Sequence, residues 1–240
     1  MDWFESWFNT PYYHILYKDR DFVEAENFID KLLAEIRLPQ HSTIIDLACG
    51  HGRHSVYLNQ KGYTVLGLDL SEASISFDKQ FENETLSFRV HDMRNPIQGE
   101  KVDAVMNLFT SFGYFDQDDD DGKVFESVAQ ALKPGGLFVL DFLNADYVEH
   151  TLVPESLIVK DDISFSIHKK IDNKRVIKDI RFSDNGQDFH YEEKVKLHSF
   201  EKLKSLAEKH QLSYVTRWGD YQLGSLSDNS PRCIILFQKK

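Results

Sequence analysis

The chain has 240 residues, with 28 Lys or Arg against 39 Asp or Glu, and so a formal net charge of −11 at pH 7. This excess of acid argues against a broad nucleic-acid surface, because phosphate binding depends on Lys and Arg. No apolar run approaches the ~20 residues that cross a bilayer, and the N-terminus lacks the features expected of a signal peptide. With Cys49 and Cys233 as its two cysteines and no metal-ligand spacing among its histidines, the chain is expected to be cytoplasmic and without a metal.

The first half of the chain predicts a parallel α/β sheet. Residues 3–17 are rich in Trp, Tyr and Phe, too apolar for a loose tail, and are predicted to form a lid. A helix is predicted over residues 22–37, with Asp21 and Glu24 as a capping box and Pro39 as its stop. Short apolar strands then alternate with amphipathic helices, which favours a parallel sheet with helices on both faces. Strands are predicted at 43–47, 64–69, 86–91, 102–108 and 137–142, and helices at 52–61, 72–81 (capped by Ser71) and 119–132.

One run of acidic residues precedes the last of these helices, at residues 116–121. We interpret it as a solvated turn, since the positive end of a helix dipole favours acids. Consecutive aspartates point in different directions, so the run is weak evidence for a metal site.

After about residue 144 the pattern changes to an antiparallel one. Segments 157–169, 174–182 and 187–197 are strand-like, and the turn residues between them have hairpin spacing. Ser199 is predicted to cap a helix to about His210, and strands at 212–221 and 233–238 follow. Residues 157–198 hold nine basic and eight acidic side chains, too balanced for an RNA-binding face. We therefore expect a main domain of residues 1–148 and 199–240, with residues 149–198 inserted as a meander for substrate contact, a lid or dimerisation.

The segment around the first strand carries the strongest chemical signal. The strand ends in Asp46, and Gly50 and Gly52 open the next helix, where a ligand could approach the backbone and free N–H groups. A G-x-G alone is weak evidence. The dinucleotide fingerprint wants a Gly or Ala at position 55, which is Ser here, and Arg53 is bulky, so a nicotinamide oxidoreductase is disfavoured.

A second acid strengthens this interpretation. Asp69 lies 17 residues after Gly52, at the end of the second strand. A carboxylate there can accept hydrogen bonds from the two hydroxyls of a ribose. The alternative role for Asp69 is a helix cap, which Ser71 already supplies.

Five motifs in order resemble the class I S-adenosylmethionine-dependent methyltransferases, and among them bacterial small-molecule methyltransferases. They are the acidic glycine motif of residues 46–52, with Ala48 in place of the first glycine, Asp69, the loop 91–94, the strand 102–108 and the turn 132–138. The resemblance implies a Rossmann-like seven-stranded sheet and in-line methyl transfer to a nitrogen, oxygen or carbon of a small molecule. The open alternatives are an RNA- or protein-directed enzyme of the same fold and a binding protein without catalysis.

The resemblance also implies roles for individual residues. Gly50 and Gly52 would pack against the methionine part of the cofactor, Asp69 would hold the ribose, and Asp92 would accept from the adenine amino group. The full cofactor set implied in this way is Arg20, Asp46, Ala48, Gly50, Gly52, Asp69, Leu70, Asp92, Met93, Asn107 and Leu108.

The acceptor side is less constrained, because a sulfonium needs positioning more than a fixed catalytic triad. The candidates are Tyr13, His14, Tyr17 and Asn144, together with the aromatic residues of the segment 109–115 after strand four. An equal alternative is that the tyrosines only pack as an aromatic cover and do not contact the acceptor.

Arg53 could reach the cofactor or lie exposed. His51 and His54 are expected to be structural, and Glu193 and Arg232 are expected to pair across strands. No membrane partner is expected, and a homodimer is an open option.

Overall fold

The computed structural model describes residues 3–18 and 22–240. Asp21, predicted as a helix cap, and Arg20, predicted as a cofactor ligand, lie outside these residues. The helices are α1 (Trp3–Phe8), α2 (Pro11–Leu16), α3 (Phe22–Ile36), α4 (Arg53–Gln60), α5 (Glu72–Asp78, continued by a 3₁₀ turn, Lys79–Phe81), α6 (Asp118–Ala131), α7 (Ala145–Thr151) and α8 (Phe200–Lys209). No helix within the described ranges is long and apolar enough to span a bilayer.

Seven strands form one sheet in the order β10-β11-β5-β4-β1-β2-β3, parallel from β5 to β3 and antiparallel at β11 and β10. The predicted Rossmann-like sheet is confirmed. Ser71 and Ser199 accept hydrogen bonds from the backbone three residues on, as their predicted capping roles require. The strands are β1 (Thr43–Leu47), β2 (Thr64–Asp69), β3 (Leu86–Val90), β4 (Val102–Asn107), β5 (Leu132–Leu143), β10 (Leu212–Trp218) and β11 (Arg232–Lys239).

Strand β5 begins earlier than predicted. Leu132 pairs with Val102, and the next pair along the ladder is Leu137 with Ala104. Residues 133–136 therefore bulge out of the sheet, which the Pro-Gly-Gly composition of this turn permits.

A second sheet holds four antiparallel strands, β6 (Glu155–Lys160), β7 (Ile163–Asp172), β8 (Arg175–Asp184) and β9 (Gln187–Lys196). The single strand predicted over 157–169 is wrong, because Asp161 and Asp162 adopt φ of 46° and 64° and turn the chain between β6 and β7. Aspartate tolerates this left-handed region, and two such residues make a tight hairpin turn. Helix α7, before this sheet, was not predicted either.

The N-terminal helices cover one face of the second sheet. Trp7 is fully buried with Phe165, Ile180 and Phe182 in a core separate from the two cores on the seven-stranded sheet. Burial of each such side chain contributes about 1.5–3 kcal/mol. The aromatic residues of α1 and α2 are thus part of the core of the four-stranded sheet, and they also cover an edge of the seven-stranded sheet.

The acidic run of residues 116–121 is only partly a solvated turn, because α6 begins within it at Asp118. Asp120 and Asp121 are buried, and Asp121 Oδ2 lies 2.7 Å from Lys196 Nζ and 3.0 Å from His198 Nε2. A buried carboxylate needs such partners to offset its lost hydration. The run therefore ties the start of α6 to the end of β9.

Candidate functional site

A cavity of about 330 Å³ opens at the carboxyl edge of the seven-stranded sheet. The chain leaves β3 at one edge and re-enters the sheet as β4, on the other side of β1. Such a switch point creates a crevice where ligands bind in open α/β sheets. Its lining includes residues at the carboxyl ends of β1 to β4, namely Ala48, Cys49, Gly50, Asp69, Leu70, Asp92, Met93 and Leu108. It also includes ring-bearing residues of the N-terminal segment and of the segment after β4, namely Phe4, Phe8, Tyr13, His14, Tyr17, Phe109, Tyr114 and Phe115.

The two glycines of the loop after β1 have different reasons to be glycine. Gly50 has φ of +56°, and a Cβ built there would meet nothing within 4 Å. At Gly52, with φ of +64°, a Cβ would lie 2.9 Å from the Phe88 ring and 3.1 Å from the Asp78 carboxyl carbon. Gly50 therefore leaves open space at the cavity. Gly52, which was predicted to face the cofactor, packs against the protein interior instead.

Asp69 braces the glycine loop and also faces the cavity. Its Oδ2 accepts from the Gly50 backbone N–H and its Oδ1 from that of Ser71, both at 2.8 Å. Burial raises the pKa of Asp69, although the N–H groups of Ser71, Gly50 and Leu70 act in the opposite direction. These bonds use about two of the roughly four acceptor positions of a carboxylate, so others remain for a ribose diol.

Asp69→Ala is expected to weaken S-adenosylmethionine binding by about 2–3 kcal/mol, roughly 30- to 150-fold, because it removes the acceptor and the loop brace together. Asp69→Asn keeps the shape and one acceptor oxygen and should lose less. Calorimetry on both variants measures the effect. Unchanged affinity in folded Asp69→Ala would exclude Asp69 as a ribose ligand.

Asp92 is held by an arginine that sequence reasoning missed. Arg94 Nη2 donates to Asp92 Oδ2 at 2.7 Å, and Arg94 Nε donates to both oxygens at 3.0 Å. Burial opposes ionisation of Asp92, but the hydrogen bonds and charge of Arg94 outweigh it and lower the pKa. Arg94 also lies 3.6 Å from Asp120 on α6. The Asp-x-Arg spacing was the sequence signal available for the Asp92–Arg94 pair, whereas the contact with Asp120 depends on the tertiary fold.

Besides Gly52, three predicted residues of the described part of the chain do not line the cavity. Asp46 is buried and accepts from Ser55 Oγ at 2.6 Å, which ties β1 to α4. Asn107 donates to the Leu47 carbonyl at 2.9 Å and so joins β4 to β1. Asn144 was predicted near the acceptor, but its amide donates to the carbonyls of Ser230 and Ser227 at 2.9 and 3.1 Å and fixes the loop before β11.

Glu193 fastens the N-terminal helices to the second sheet. It accepts from Trp7 Nε1 at 2.7 Å and from the Tyr17 hydroxyl at 2.8 Å, with Lys178 Nζ 3.4 Å away. The predicted pairing of Glu193 with Arg232 is therefore wrong. Tyr17 reaches the cavity from this anchored position.

Arg232 instead pairs with the buried Asp141. Its Nε and Nη2 donate to Asp141 Oδ1 at 2.8 and 2.6 Å, and the Phe109 backbone N–H donates to Oδ2 at 2.7 Å. Phe109 and Thr110 both have φ of 60°, a conformation costly for residues other than glycine. Asp141 thus stabilises the strained turn that carries the Phe109 ring into the cavity.

The side chains of α4 pack on the Phe109 ring. The His54 ring stacks on it at 4.9 Å, and the Arg53 guanidinium carbon lies 4.4 Å from its centroid. His51, from the glycine loop, stacks on His14 of α2 at 3.7 Å. The cavity lining therefore includes stacked rings from the glycine loop, from α2, from α4 and from the turn after β4.

Asp78 lies behind the glycine loop. It is fully buried, and within the described residues neither of its oxygens has a hydrogen-bond partner. Burial, with the charges of Asp69 and Asp46 adding to it, raises the pKa of Asp78 from 3.8 to about 8. The folded protein keeps this proton at pH values where the unfolded chain has lost it.

The stability of the protein is therefore expected to fall as the pH rises from about 4 to about 8. Asp78→Asn should exceed the wild type in free energy of unfolding at pH 9 by on the order of 2–3 kcal/mol, with the difference shrinking toward pH 5. Urea unfolding at both pH values measures this. Equal stabilities at pH 9 would show that the fold accommodates the ionised carboxylate.

Comparisons with known proteins agree with this geometry. A family model for a methyltransferase domain matches residues 44–136. YqeM, a candidate methyltransferase of Bacillus subtilis, is 35% identical over 55% of this chain and 54% of its own length. The dTDP-3-amino-3,4,6-trideoxy-alpha-D-glucopyranose N,N-dimethyltransferase of Streptomyces venezuelae is 34% identical over 49% of this chain and 48% of its own length. The chain thus spans about half the length of these curated relatives.

A solved structure extends the similarity of fold to nearly the whole chain. An S-adenosylmethionine-dependent methyltransferase from Clostridium acetobutylicum superposes with a TM-score of 0.80 over 95% of this chain and 96% of its own, at 22% identity. Residues 44–136 thus match a methyltransferase domain, and the resemblance to S-adenosylmethionine-dependent methyltransferases inferred from the sequence is confirmed.

S-adenosylmethionine, the cofactor of this class, fits the residues present. Gly50 leaves space at the loop, and Asp69 has acceptor positions for the ribose hydroxyls. Leu70, Met93 and Leu108 add apolar side chains to the lining of the same cavity.

Proposed function

We propose that this protein transfers a methyl group from S-adenosylmethionine to a small-molecule acceptor by in-line displacement. The observation that carries the proposal is one cavity joining the loop at Gly50 and Asp69 to an aromatic chamber. The bound cofactor supplies an activated methyl group. The protein would then need to orient the acceptor and exclude water, which an enclosed aromatic wall does.

We further propose an amine as the acceptor. The Streptomyces venezuelae relative is named for N,N-dimethylation of an amino sugar. In this chain, the aromatic rings of Tyr13, Tyr17, Phe109 and Tyr114 surround the chamber. Aromatic faces attract the partial positive charge that builds on a nitrogen as it is methylated, and tyrosine hydroxyls can accept from its N–H groups.

The proposal is tested with pairs of acceptors that differ only in having an amine or a hydroxyl group. Nucleotide-linked amino sugars and their hydroxyl counterparts are incubated with the enzyme and cofactor, and formation of S-adenosylhomocysteine is followed. The proposal expects turnover with the amine of a pair and none with the alcohol. Turnover with alcohols alone would assign an oxygen acceptor.

We propose that α1 and α2 act as a lid over the chamber. They contribute Phe4, Phe8 and Tyr13 to its wall, Tyr17 follows directly after α2, and Glu193 holds this segment to the second sheet. Opening needs these contacts to break, while a ligand in the chamber adds contacts to the closed form.

S-adenosylhomocysteine is therefore expected to slow proteolytic cleavage within the first 20 residues several-fold, and Glu193→Gln should speed it in the free protein. Limited proteolysis with mass spectrometry measures both. A static cover would show the same cleavage rate with and without the ligand. Deletion of residues 1–17 is a poorer test, since it would uncover the core around Phe165.

A further inference from the structure

Three carboxylates lie against the glycine loop and the first turn of α4. Asp69 accepts from the Gly50 N–H, and Asp46 accepts from Ser55 in the first turn of α4. The Asp78 carboxyl carbon lies 3.1 Å from the position that a Cβ of Gly52 would take. All three therefore contact residues 50–55, which run from the cavity into helix α4.

Asp78 is the member of this group without a structural explanation. Asp46 and Asp69 each accept hydrogen bonds that hold the loop, whereas both Asp78 oxygens are buried and, within the described ranges, have no hydrogen-bond partner. An acid placed in this way costs stability and contributes no contact in return. A functional role would account for its position.

The groups around Asp78 leave its charge largely uncompensated. Asp46 faces it from β1 and Asp69 from β2, the Cys49 thiol lies on the loop, and the neighbour from β3 is the uncharged Phe88 ring. Among the described residues, Arg53 favours ionisation of Asp46.

We propose that Asp78, with Asp46 and Asp69, forms an acidic backing to the glycine loop that makes the site bind the sulfonium cofactor in preference to its neutral thioether product. This inference rests on the proposed function through its cofactor. In the transfer, the bond between sulfur and the methyl carbon breaks, its electron pair stays on sulfur, and the methyl carbon bonds to the acceptor. The positive charge on sulfur disappears, so the attraction to the backing is lost and product release is favoured.

The preference should depend on pH. Burial raises the pKa of Asp78 to about 8, so the backing gains a charge between pH 7 and pH 9. A unit charge roughly 10 Å away, at an effective dielectric constant of about 20, changes a binding constant by about tenfold.

Calorimetric titration with S-adenosylmethionine and S-adenosylhomocysteine, at pH 7 and pH 9, tests the proposal. In the wild type, the ratio of the product Kd to the cofactor Kd is expected to rise by about five- to tenfold across this range. Asp78→Asn should remove most of that rise. Any change in protonation of the ligands between pH 7 and pH 9 is the same for the wild type and for Asp78→Asn, so it cancels when the two proteins are compared. Asp119→Asn, at an exposed position on α6, makes the same change in net charge at pH 9 and should behave as the wild type.

A second measurement needs no variant. At pH 8, cofactor binding should release protons from the wild-type protein, and product binding should release fewer. The number of protons released is obtained by measuring the binding enthalpy in buffers of different ionisation enthalpy. A ratio that does not change with pH, or a full rise retained in Asp78→Asn, would overturn the proposal. Failure of the wild type to bind either ligand is a different result, which would remove the proposed function itself.

Discussion

Gly50→Val is expected to lower the affinity for S-adenosylmethionine by at least about 100-fold while the protein stays folded. A Cβ at Gly50 meets nothing within 4 Å, so a branched side chain would extend into open space beside the cavity lining instead of clashing with the core. The left-handed φ of +56° adds backbone strain, since β-branched residues avoid this region.

The control for that strain is Gly186→Val. Gly186 sits in the turn between β8 and β9 with φ of +76°, and a Cβ there also meets nothing within 4 Å. This variant should lose a similar small amount of stability and keep its cofactor affinity. Calorimetry measures the cofactor affinity of Gly50→Val and Gly186→Val, and thermal unfolding measures their stability. Together the two methods distinguish blocking of the site from backbone strain. Normal binding by Gly50→Val would mean that the loop is only a turn.

Asp141→Asn is expected to lower the free energy of unfolding by about 3–5 kcal/mol. Asp141 is fully buried and is the carboxylate partner of Arg232, so its neutralisation leaves a buried guanidinium without its counter-charge. The substituted amide would also disturb the acceptor of the Phe109 N–H, at a turn where two residues already have φ of 60°. Urea unfolding measures the loss.

Two further variants distinguish the buried pair from a general charge effect. The double variant Asp141→Asn with Arg232→Met also removes the guanidinium that has lost its counter-charge, and it should recover part of the stability. Asp119→Asn removes a charge at an exposed position and should change stability by less than about 0.5 kcal/mol. A loss below about 1 kcal/mol in Asp141→Asn would show that the pair contributes little.

Local pattern was enough to predict the features that depend on neighbouring residues. The alternation of strands and helices gave the parallel sheet, and Ser71 and Ser199 were recognised as caps because their partners lie three residues away. Asp69 and Gly50 were placed together because the carboxyl ends of adjacent parallel strands meet at one edge.

Contacts between distant segments could not be predicted in this way. Asp141 and Arg232 are 91 residues apart, and the position of Glu193 against Trp7 depends on how the second sheet docks on α1. The acidic run was interpreted as a solvated turn on the local argument of the helix dipole, yet Lys196 and His198 reach Asp121 from β9 and the residues after it. Asp78 gave no signal, since a lone acid at the end of an amphipathic helix is ordinarily exposed.

The destination of the methyl group tests the central claim most directly. The wild-type protein and the Gly50→Val variant are incubated with S-adenosylmethionine labelled in the methyl group and with separate small-molecule, RNA and protein fractions of a bacterial extract. We predict label in the small-molecule fraction, on nitrogen, with the wild type and none with Gly50→Val. Label confined to RNA or protein, or no transfer by a wild-type protein that binds the cofactor, would contradict the account.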